Sequence, residues 1–389
     1  MPLAPYATHA DKSKGRLIVE PVSATRTAYQ RDRDRIVHSG AFRKLRNKTQ
    51  VFVEFEGDFY RTRLTHTLEV AQIARSISRQ LNLDEDLTEA IALAHDLGHT
   101  CFGHRGEEAL NAVMQPYGGF DHNEQTFRIL TELERRYPNF DGLNLSWETL
   151  EGIVKHNGPL APEKKIPPTI AAFNEKWDME LGNWCGPEGQ VAALADDIAY
   201  NSHDVDDGVR AGLLTLDDVA ALPVFSAVLA ESRKNYPGIT DDKLLHETVR
   251  QVIGFIVNDL LTATRENLAK LKPERVEDIR GAGRATVSCS TETQGHFRTF
   301  RDFLMQKMYR HSQVNRFNAK AERIVTDLFH FFVKYPNCLP PDWQAEIAAF
   351  DGKNEEARRA RLIADYIAGM TDRYAVTEYN RLFSMEKFV

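Results

Sequence analysis

Residues 90–104 read Ala90-Ile-Ala-Leu-Ala-His-Asp-Leu-Gly-His-Thr-Cys-Phe-Gly-His104, and small and apolar residues give way there to three histidines and an aspartate. The apolar first half is typical of a buried helix, and Gly98 allows the backbone to leave that helix just after the His95-Asp96 pair. Both side chains of the pair are candidate metal ligands, since imidazole and carboxylate groups bind divalent ions. The sequence therefore predicts a helix that ends at a metal site.

Two other segments make the prediction of a metal site at the His-Asp pair more specific. His66 lies near the start of a stretch whose apolar residues recur at helical spacing, and Asp196 lies in a second predicted helix. Two imidazoles and two carboxylates form a mixed nitrogen and oxygen set, which suits Mn, Mg, Fe, Co or Zn better than an ion that prefers thiolates. The sequence thus predicts one divalent metal ion whose identity is open.

The composition narrows the class of protein. The chain has 389 residues, of which 42% are hydrophobic, so it can bury a full core. A formal charge of -7 argues against a general nucleic-acid or membrane-surface binder, although a local basic pocket for polyphosphate remains compatible with it. Four scattered cysteines without a CxxC pair, no signal-peptide pattern and no run of eighteen apolar residues predict a cytoplasmic protein that does not span a membrane.

The pattern along the chain predicts an all-α protein with three parts: an N-terminal arm at 1–24, a helical core at 25–240, and an additional C-terminal helical region at 241–389 packed on that core. Residues 51–60 are the exception, because apolar and polar residues alternate there around a Gly-Asp and predict a short β-hairpin. The predicted helices cover a stretch within 25–50, the segment from His66 to Leu81, and 87–97, 107–114, 123–136, 147–156, 191–206, 244–268, 297–311, 319–332, 343–350, 357–370 and 374–382. Residues 158–186 are predicted to be a long loop that has room for one short helix.

Three further histidines, His99, His104 and His122, can each be a metal ligand, a general acid or a structural residue. His104 and Glu107 lie one helical turn apart, so the carboxylate can fix the tautomer of an imidazole that moves a proton. His122 precedes a helix, where backbone N–H groups favour an anion such as phosphate. Lys155 is a plausible phosphate cation.

Two other groups of side chains can face a substrate. Asp196, Tyr200 and Asp204 are spaced at i, i+4 and i+8, so they share one face of a predicted helix. The basic residues of the segment before Gln50 have no nearby acids, which favours a phosphate-binding role or an intersubunit contact. These residues are Arg43, Lys44, Arg46 and Lys48.

Six motifs, in this order, closely resemble the bacterial dGTPase-like branch of the HD-domain hydrolases. They are Arg31-Asp-Arg-Asp-Arg-Ile36, Phe42-Arg-Lys-Leu-Arg-Asn-Lys-Thr-Gln-Val51, Arg63-Leu-Thr-His-Thr-Leu-Glu-Val70, Ala94-His-Asp-Leu-Gly-His-Thr-Cys-Phe-Gly-His-Arg-Gly-Glu107, Phe120-Asp-His-Asn-Glu-Gln125 and Ala195-Asp-Asp-Ile-Ala-Tyr-Asn-Ser-His-Asp204. The segment Asp365-Tyr-Ile-Ala-Gly-Met-Thr-Asp372 also resembles the C-terminal signature of that branch.

The resemblance implies an all-helical HD domain that hydrolyses dGTP or another dNTP to deoxynucleoside and inorganic triphosphate, with one metal ion as cofactor. The implied site residues are His66, His95, Asp96 and Asp196 for the metal, His104, Glu107 and His122 for catalysis, Arg63, His99 and Lys155 for the triphosphate, Tyr200 and Asp204 for the sugar, and Gln50 for the 3′-hydroxyl. Related animal enzymes have a lysine directly after the last metal aspartate, where this chain has Asp197. Part of the phosphate binding is therefore expected from other residues, with Arg310, His311 and Arg316 as candidates.

The resemblance also implies a homo-oligomer. It leaves open whether a second dNTP activates the enzyme and whether single-stranded nucleic acid binds. Two rival interpretations remain: an HD-domain 5′-nucleotidase or phosphodiesterase that shares the metal ligands, and a nucleotide-sensing protein without turnover. The products distinguish them, because a phosphatase releases orthophosphate, a dNTPase releases triphosphate, and a sensor releases neither.

Overall fold

The computed structural model describes residues 2–50, 60–160, 166–350 and 355–384. Within these ranges the chain is helical, and its only β contacts are isolated bridges. The predicted hairpin lies outside the described residues, apart from Tyr60. Thr49 and Thr62, which lie before and after that segment, form an antiparallel bridge. The predicted all-α class is confirmed for the described part of the chain.

Eighteen α-helices lie in the described ranges, and most overlap the helices that the sequence pattern predicts. Their bounds are α1 Ala28–Val37, α2 Gly40–Lys44, α3 Arg63–Gln80, α4 Glu85–Ala94, α5 Gly103–Met114, α6 His122–Arg128, α7 Trp147–Val154, α8 Pro168–Lys176, α9 Pro187–Arg210, α10 Leu216–Ala220, α11 Phe225–Asn235, α12 Asp241–Leu271, α13 Val276–Arg280, α14 Thr291–Leu304, α15 Ser312–Lys334, α16 Pro341–Ala348, α17 Glu355–Ala368 and α18 Asp372–Phe383. Helix α8 is a short helix within 158–186, where the sequence leaves room for one, whereas α10, α11 and α13 were not predicted, because they are short or lie in segments without clear periodicity.

Helix α4 begins as predicted and ends earlier than predicted. Asp84 caps its first turn by accepting a hydrogen bond from Leu87 N at 2.9 Å. The helix ends at Ala94 rather than at 97, and His95 is the C-cap residue. The His-Asp pair therefore lies just beyond the last helical turn, in the tight turn that leads to Gly98.

Contacts in space divide the chain into two compact units that interleave along the sequence. Unit 1 comprises 1–37, 66–95 and 143–314, and unit 2 comprises 38–65, 96–142 and 315–389. The sequence predicts consecutive segments, namely an arm, a core and a C-terminal region, rather than units that interleave. That division stays a prediction.

The core of unit 1 is built around α4, which packs against α1, α7 and α9. Two glycines allow the close approach of these helices. A Cβ on Gly152 of α7 would lie 2.4 Å from Ile91 Cδ1 of α4, and a Cβ on Gly189 of α9 would lie 3.1 Å from the Gly152 Cα. Residues on α4, α7 and α9 are therefore held at short range from one another.

The N-terminal arm is bound to unit 1. Ala4 N donates to Asn82 O at 2.8 Å. The buried Glu188 carboxylate of α9 accepts hydrogen bonds from Thr8 N and Thr8 Oγ1, and from Asp84 N at 3.2 Å. The arm is thus tied to the turn before α4 and to the first turn of α9.

Unit 2 has its own apolar core, formed by α5, α15, α17 and α18 and including Leu110, Phe329, Ile363 and Ala375. Helix α6 is held to α17 by an ion pair, because the Arg128 guanidinium donates to both Asp365 carboxylate oxygens at 3.2 and 2.6 Å. The C-terminal helices of the chain therefore support the segment that carries His122.

The four cysteines are free thiols: Cys101, Cys185 and Cys289 are buried, and Cys338 is exposed. No disulfide links them, as the sequence pattern predicted. Among the helices of the described ranges, none combines the length and the apolar character that a bilayer crossing requires.

Candidate functional site

Three imidazoles surround one carboxylate in unit 1. The His66 Nε2 lies 2.9 Å and the His95 Nε2 lies 3.5 Å from Asp196 Oδ1, while the His156 Nε2 lies 3.5 Å from Asp196 Oδ2. The His95 ring stacks on the His156 ring with centroids 5.6 Å apart and meets the His66 ring edge-on at 5.8 Å. We call these four residues the Asp196 group.

The protonation of the Asp196 group is set by its neighbours. His95 Nδ1 lies 2.7 Å from Ala92 O, which favours a proton on Nδ1 and directs Nε2 towards Asp196. Burial alone would raise the pKa of Asp196, but the charge of His95 and hydrogen bonds with His156, His66 and His95 hold that pKa well below its ordinary value. The carboxylate is therefore anionic and can act as a ligand.

The Asp196 group fits a divalent metal ion. Two nitrogen or oxygen ligands that share one ion at about 2.1 Å lie about 3.0–3.4 Å apart at tetrahedral or octahedral angles. The contacts of His66 and His95 with Asp196, 2.9 and 3.5 Å, are close to this range. The Asp196 side chain keeps 26% of its surface exposed, so a further ligand can reach it. Three of the four predicted metal ligands thus meet in unit 1.

The fourth predicted ligand, Asp96, follows His95 directly and has two partners in unit 2. Its carboxylate accepts a hydrogen bond from Arg63 Nη1 at 2.8 Å and lies 3.2 Å from His99 Nε2. Burial, together with the positive charges of Arg63 and His122, holds the pKa of His99 well below its ordinary value. The His99 imidazole is therefore neutral at physiological pH.

Several buried polar atoms near Asp96 lack a hydrogen-bond partner among the described residues. They are Arg63 Nε, Arg63 Nη2, His99 Nδ1 and, on the neighbouring segment, Gln50 Oε1. An unsatisfied buried polar group costs about 1–3 kcal/mol. Gln50, Arg63 and His99 are among the residues for which the family resemblance implies substrate binding, and that role stays a prediction.

The predicted catalytic residues also meet in unit 2. Glu107 Oε1 accepts hydrogen bonds from His122 N at 2.9 Å and from His122 Nδ1 at 2.8 Å, and Glu107 Oε2 lies 3.5 Å from His104 Nδ1. We call Glu107, His104 and His122 the Glu107 group. The His122 ring stacks on His99 with centroids 4.0 Å apart. The His104 side chain is 60% exposed and that of Glu107 only 14%, so a buried carboxylate orients an imidazole that is open to solvent.

The charges of the Glu107 group follow from its contacts. Burial alone would raise the pKa of Glu107, but hydrogen bonds from His104 and His122 and the charge of His122 lower it far below its ordinary value. Burial alone would lower the pKa of His122, but the hydrogen bond and the charge of Glu107 raise it. Glu107 and His122 therefore form a carboxylate–imidazolium pair.

A second polar cluster in unit 1 contains a residue that the sequence analysis missed. The Tyr309 hydroxyl donates to Asp204 Oδ2 and lies 2.6 Å from the Tyr200 hydroxyl oxygen. Burial and the charge of Asp204 raise the pKa of Tyr309 well above its ordinary value, so the phenol stays protonated. Tyr200 and Asp204 share a face as predicted, but no local pattern links them to Tyr309, which lies more than a hundred residues later.

Lys155 does not have the surroundings that the sequence analysis expected. Its ammonium group is buried, lies 2.9 Å from Glu151 Oε1, and shares that carboxylate with the Arg280 guanidinium, both cations lying over the Trp147 ring. The neighbouring His156 reaches Asp196 instead. Lys155 is thus paired with Glu151, one helical turn earlier on α7, and its contact with phosphate stays a prediction.

Asp197 occupies the position where the related animal enzymes have a lysine. Burial and the neighbouring Asp196 raise the pKa of Asp197 to about 6, while Arg301 and His156 act in the opposite direction. Arg301 on α14 is a further residue that the sequence analysis did not single out.

Two known families match different parts of the chain. The HD domain matches residues 63–201, which include all members of the Asp196 and Glu107 groups. The phosphohydrolase-associated domain matches residues 287–381, from the end of the loop before α14 to α18.

Several curated bacterial proteins are similar to almost the whole chain, and each is named deoxyguanosinetriphosphate triphosphohydrolase-like protein. The protein of Parvibaculum lavamentivorans is 55% identical over 98% of this chain and 96% of its own length. That of Bradyrhizobium sp. is 52% identical over the same shares, and that of Caulobacter vibrioides is 51% identical over 99% of this chain and 98% of its own length. The chain therefore belongs to the family of deoxyguanosinetriphosphate triphosphohydrolase-like proteins, and it carries an HD domain and a phosphohydrolase-associated domain.

Proposed function

We propose that this protein is a metal-dependent phosphohydrolase that cleaves dGTP or another dNTP at the α-phosphorus, releasing deoxynucleoside and inorganic triphosphate. The observation that carries the proposal is the Glu107 group, in which a buried carboxylate holds two imidazoles beside His99, the partner of Asp96. The name that the relatives share, deoxyguanosinetriphosphate triphosphohydrolase-like protein, supports the substrate class.

His66, His95, Asp96 and Asp196 would hold the metal ion. When bound, the ion supplies Lewis-acid activation of a phosphoryl oxygen and lowers the pKa of water. His156 would act as an additional polar partner of Asp196, because its Nε2 lies beside the second carboxylate oxygen.

The Glu107 group would move the proton. Water attacks the α-phosphorus, the bond from that phosphorus to the 5′-oxygen breaks, and the 5′-oxygen leaves with a proton. His104 is open to solvent and oriented by Glu107, so it can exchange that proton with the reacting groups. The cationic His122 keeps Glu107 ionised throughout.

The unsatisfied polar atoms of unit 2 would bind the substrate. Arg63 supplies donors for phosphate oxygens, His99 would face the triphosphate, and Gln50 Oε1 supplies an acceptor for the 3′-hydroxyl of the sugar. Tyr200 and Asp204 would contact the sugar, with Tyr309 fixing the Asp204 carboxylate. Lys155 pairs with Glu151 next to His156, and its contact with the triphosphate stays a prediction.

The assembly and the cellular setting belong to the same proposal. A homo-oligomer is expected from the family, and the free thiols agree with a reducing compartment, so we place the activity in the cytoplasm. The test below also shows whether a second dNTP activates the enzyme.

Chromatography of the products tests the proposal. Purified protein is incubated with Mn²⁺ and each of the four dNTPs, alone and in the presence of the other three. Deoxynucleoside plus inorganic triphosphate is the expected result, and dependence on another dNTP would add an activating site. Orthophosphate as the product would favour a 5′-nucleotidase, and a nucleotide-dependent change of oligomer without product would favour a sensor.

A further inference from the structure

The turn that precedes helix α5 has an unusual backbone. Phe102 has φ +63° and the following Gly103 has φ +59°, so two successive residues are left-handed at the start of α5. A non-glycine residue in this region is disfavoured and persists only where its surroundings fix it. Phe102 is the N-cap residue of α5, and its side chain makes no capping hydrogen bond.

One carboxylate in the C-terminal part of the chain holds this turn. Asp372, the buried first residue of α18, accepts a hydrogen bond from Phe102 N at 2.8 Å through Oδ1. Its other oxygen, Oδ2, accepts hydrogen bonds from Thr49 N at 2.9 Å and from Thr49 Oγ1. The left-handed residue and the segment that ends at Gln50 are therefore fixed by the same side chain.

A buried lysine ties the same turn to the helix before Asp372. Lys48 is 3% exposed, and its Nζ donates to His99 O and, at 3.0 Å, to Ala368 O at the end of α17. The first turn of α5 packs closely on the same turn, since a Cβ on Gly106 would lie 1.8 Å from Cys101 O. Lys48 and Asp372 thus hold the backbone at His99 and at Phe102, just before the helix that carries His104.

We infer that Lys48 and Asp372 are positioning residues, which set the 99–106 backbone so that His104 and Glu107 face His122 and His99. This inference rests on the proposed function and deepens it. It also assigns a role to the phosphohydrolase-associated domain, because Asp372 and Ala368 lie within the matched residues 287–381 and hold a turn of the HD domain.

The chain offers a matched control. Glu188 is as buried as Asp372 and accepts the same three kinds of hydrogen bond: a threonine N–H, the hydroxyl of that threonine, and a second backbone N–H. It holds the N-terminal arm rather than the turn before α5. Asp372→Asn and Glu188→Gln each replace one acceptor oxygen by an NH₂ group that faces a donor, so both should lower stability to a similar degree.

The test combines three measurements on the full-length variants Asp372→Asn, Lys48→Met and Glu188→Gln: metal content, kcat and KM for triphosphate release, and hydrogen exchange of the 99–106 backbone. We expect all three variants to bind metal. Asp372→Asn and Lys48→Met should show faster exchange at 99–106 and a kcat lower by about 10- to 100-fold, with KM changed by less than about 3-fold. Glu188→Gln should show neither effect.

Two outcomes overturn the inference. One is a kcat of Asp372→Asn and Lys48→Met equal to that of Glu188→Gln, and the other is unchanged exchange at 99–106 in both. If Asp372→Asn does not fold, Lys48→Met alone carries the comparison, because methionine keeps most of the volume of the buried side chain. Failure of the wild-type protein to release triphosphate would contradict the proposed function, whereas the exchange comparison would still decide whether the turn depends on these residues.

Discussion

Glu107 holds His122 through two hydrogen bonds to one carboxylate oxygen, from the backbone N at 2.9 Å and from the ring Nδ1 at 2.8 Å. The first fixes the start of α6 and the second fixes the ring. Because both donors belong to His122, its position and its charge depend on the same carboxylate. Loss of the Glu107 carboxylate should therefore lower kcat directly.

Replacement of Glu107 by glutamine should lower kcat by about 100-fold or more, because general acid–base groups contribute about 10² to 10⁴. The metal content should be unchanged, since Glu107 is not among the proposed ligands. Glu108→Gln is the control, because Glu108 is the next residue of α5 and its exposed carboxylate pairs with Arg105. Equal kcat values for the two variants would remove Glu107 from the mechanism.

Loss of one metal ligand should remove the ion together with the activity. His95→Ala and Asp196→Ala should retain less than about a tenth of the wild-type metal after gel filtration, because each variant lacks one of the four proposed ligands and the incomplete set binds the ion more weakly. His104→Ala should keep the metal and lose turnover. Elemental analysis gives the metal content per chain, and full turnover by metal-free His95→Ala protein is the contrary result.

The pH dependence of stability should report Asp84. Burial and the nearby Glu188 raise the pKa of Asp84 to about 7, against the hydrogen bond from Leu87 N. A carboxyl whose pKa is raised on folding stabilises the native state fully below its unfolded pKa of about 4, and this contribution is lost as pH rises through the folded pKa.

The free energy of unfolding of the wild-type protein should therefore fall relative to that of Asp84→Asn between pH 4 and 7, by up to about 1.4 kcal/mol per pH unit. Asparagine is an equally good cap, so the helix start is preserved. Urea titrations at several pH values measure the difference between the two proteins. A difference that does not change with pH would show that folding leaves the pKa of Asp84 unchanged.

Two glycine substitutions should change the free energy of unfolding in opposite directions. A Cβ on Gly98 would lie 2.2 Å from both His122 O and Thr126 N, and neither backbone atom can move aside without shifting α6. Gly98→Ala should lower the free energy of unfolding by about 2 kcal/mol or more and reduce activity. Gly254→Ala, on the exposed side of α12 with no atom within 4 Å, should raise it by about 0.5–1 kcal/mol. Thermal unfolding measures the stability of both variants. Similar changes of the unfolding temperature in the two variants would contradict the close packing at Gly98.

Removal of the Tyr309 hydroxyl should weaken substrate binding more than catalysis. Tyr309→Phe leaves Asp204 without its phenol donor, so KM for the preferred dNTP should rise about 10-fold while kcat stays within about 2-fold, because one hydrogen bond to a charged group contributes about 1.5–3 kcal/mol. Tyr335→Phe, at a half-exposed tyrosine, is the control. A fall in kcat at constant KM would place Tyr309 in the chemical step instead.

Much of the fold could be predicted, and a candidate site could be named, because the sequence signals near His95 and Asp96 are local. The Asp84 cap and the run of small apolar residues fix α4, and Gly98 allows the turn after His95 and Asp96. The exact helix end could not be predicted, since it depends on tertiary contacts such as the hydrogen bond from Gly98 N to Thr126 Oγ1 at 2.9 Å.

The contacts that could not be predicted from the sequence depend on long-range packing. In the sequence alone, Lys155 looks like a cation without a partner. In the structure the buried Glu151 carboxylate pairs with both Lys155 and Arg280. Arg280 lies 129 residues after Glu151, so no local pattern reveals this cluster. Asp372 could be recognised as part of a C-terminal signature, but its hydrogen bond to Phe102 spans 270 residues and has no local pattern.

Hydrolysis of the preferred dNTP in water enriched in ¹⁸O tests the central claim most directly. Attack on the α-phosphorus with cleavage of the bond to the 5′-oxygen predicts one ¹⁸O atom in the released triphosphate and none in the deoxynucleoside, as read by mass spectrometry. Label in orthophosphate would place the attack at another phosphorus, and label in a deoxynucleoside monophosphate would mean that pyrophosphate, not the 5′-oxygen, leaves the α-phosphorus. Label in the deoxynucleoside would mean that carbon, not phosphorus, is attacked, and any of these results would contradict the proposed reaction.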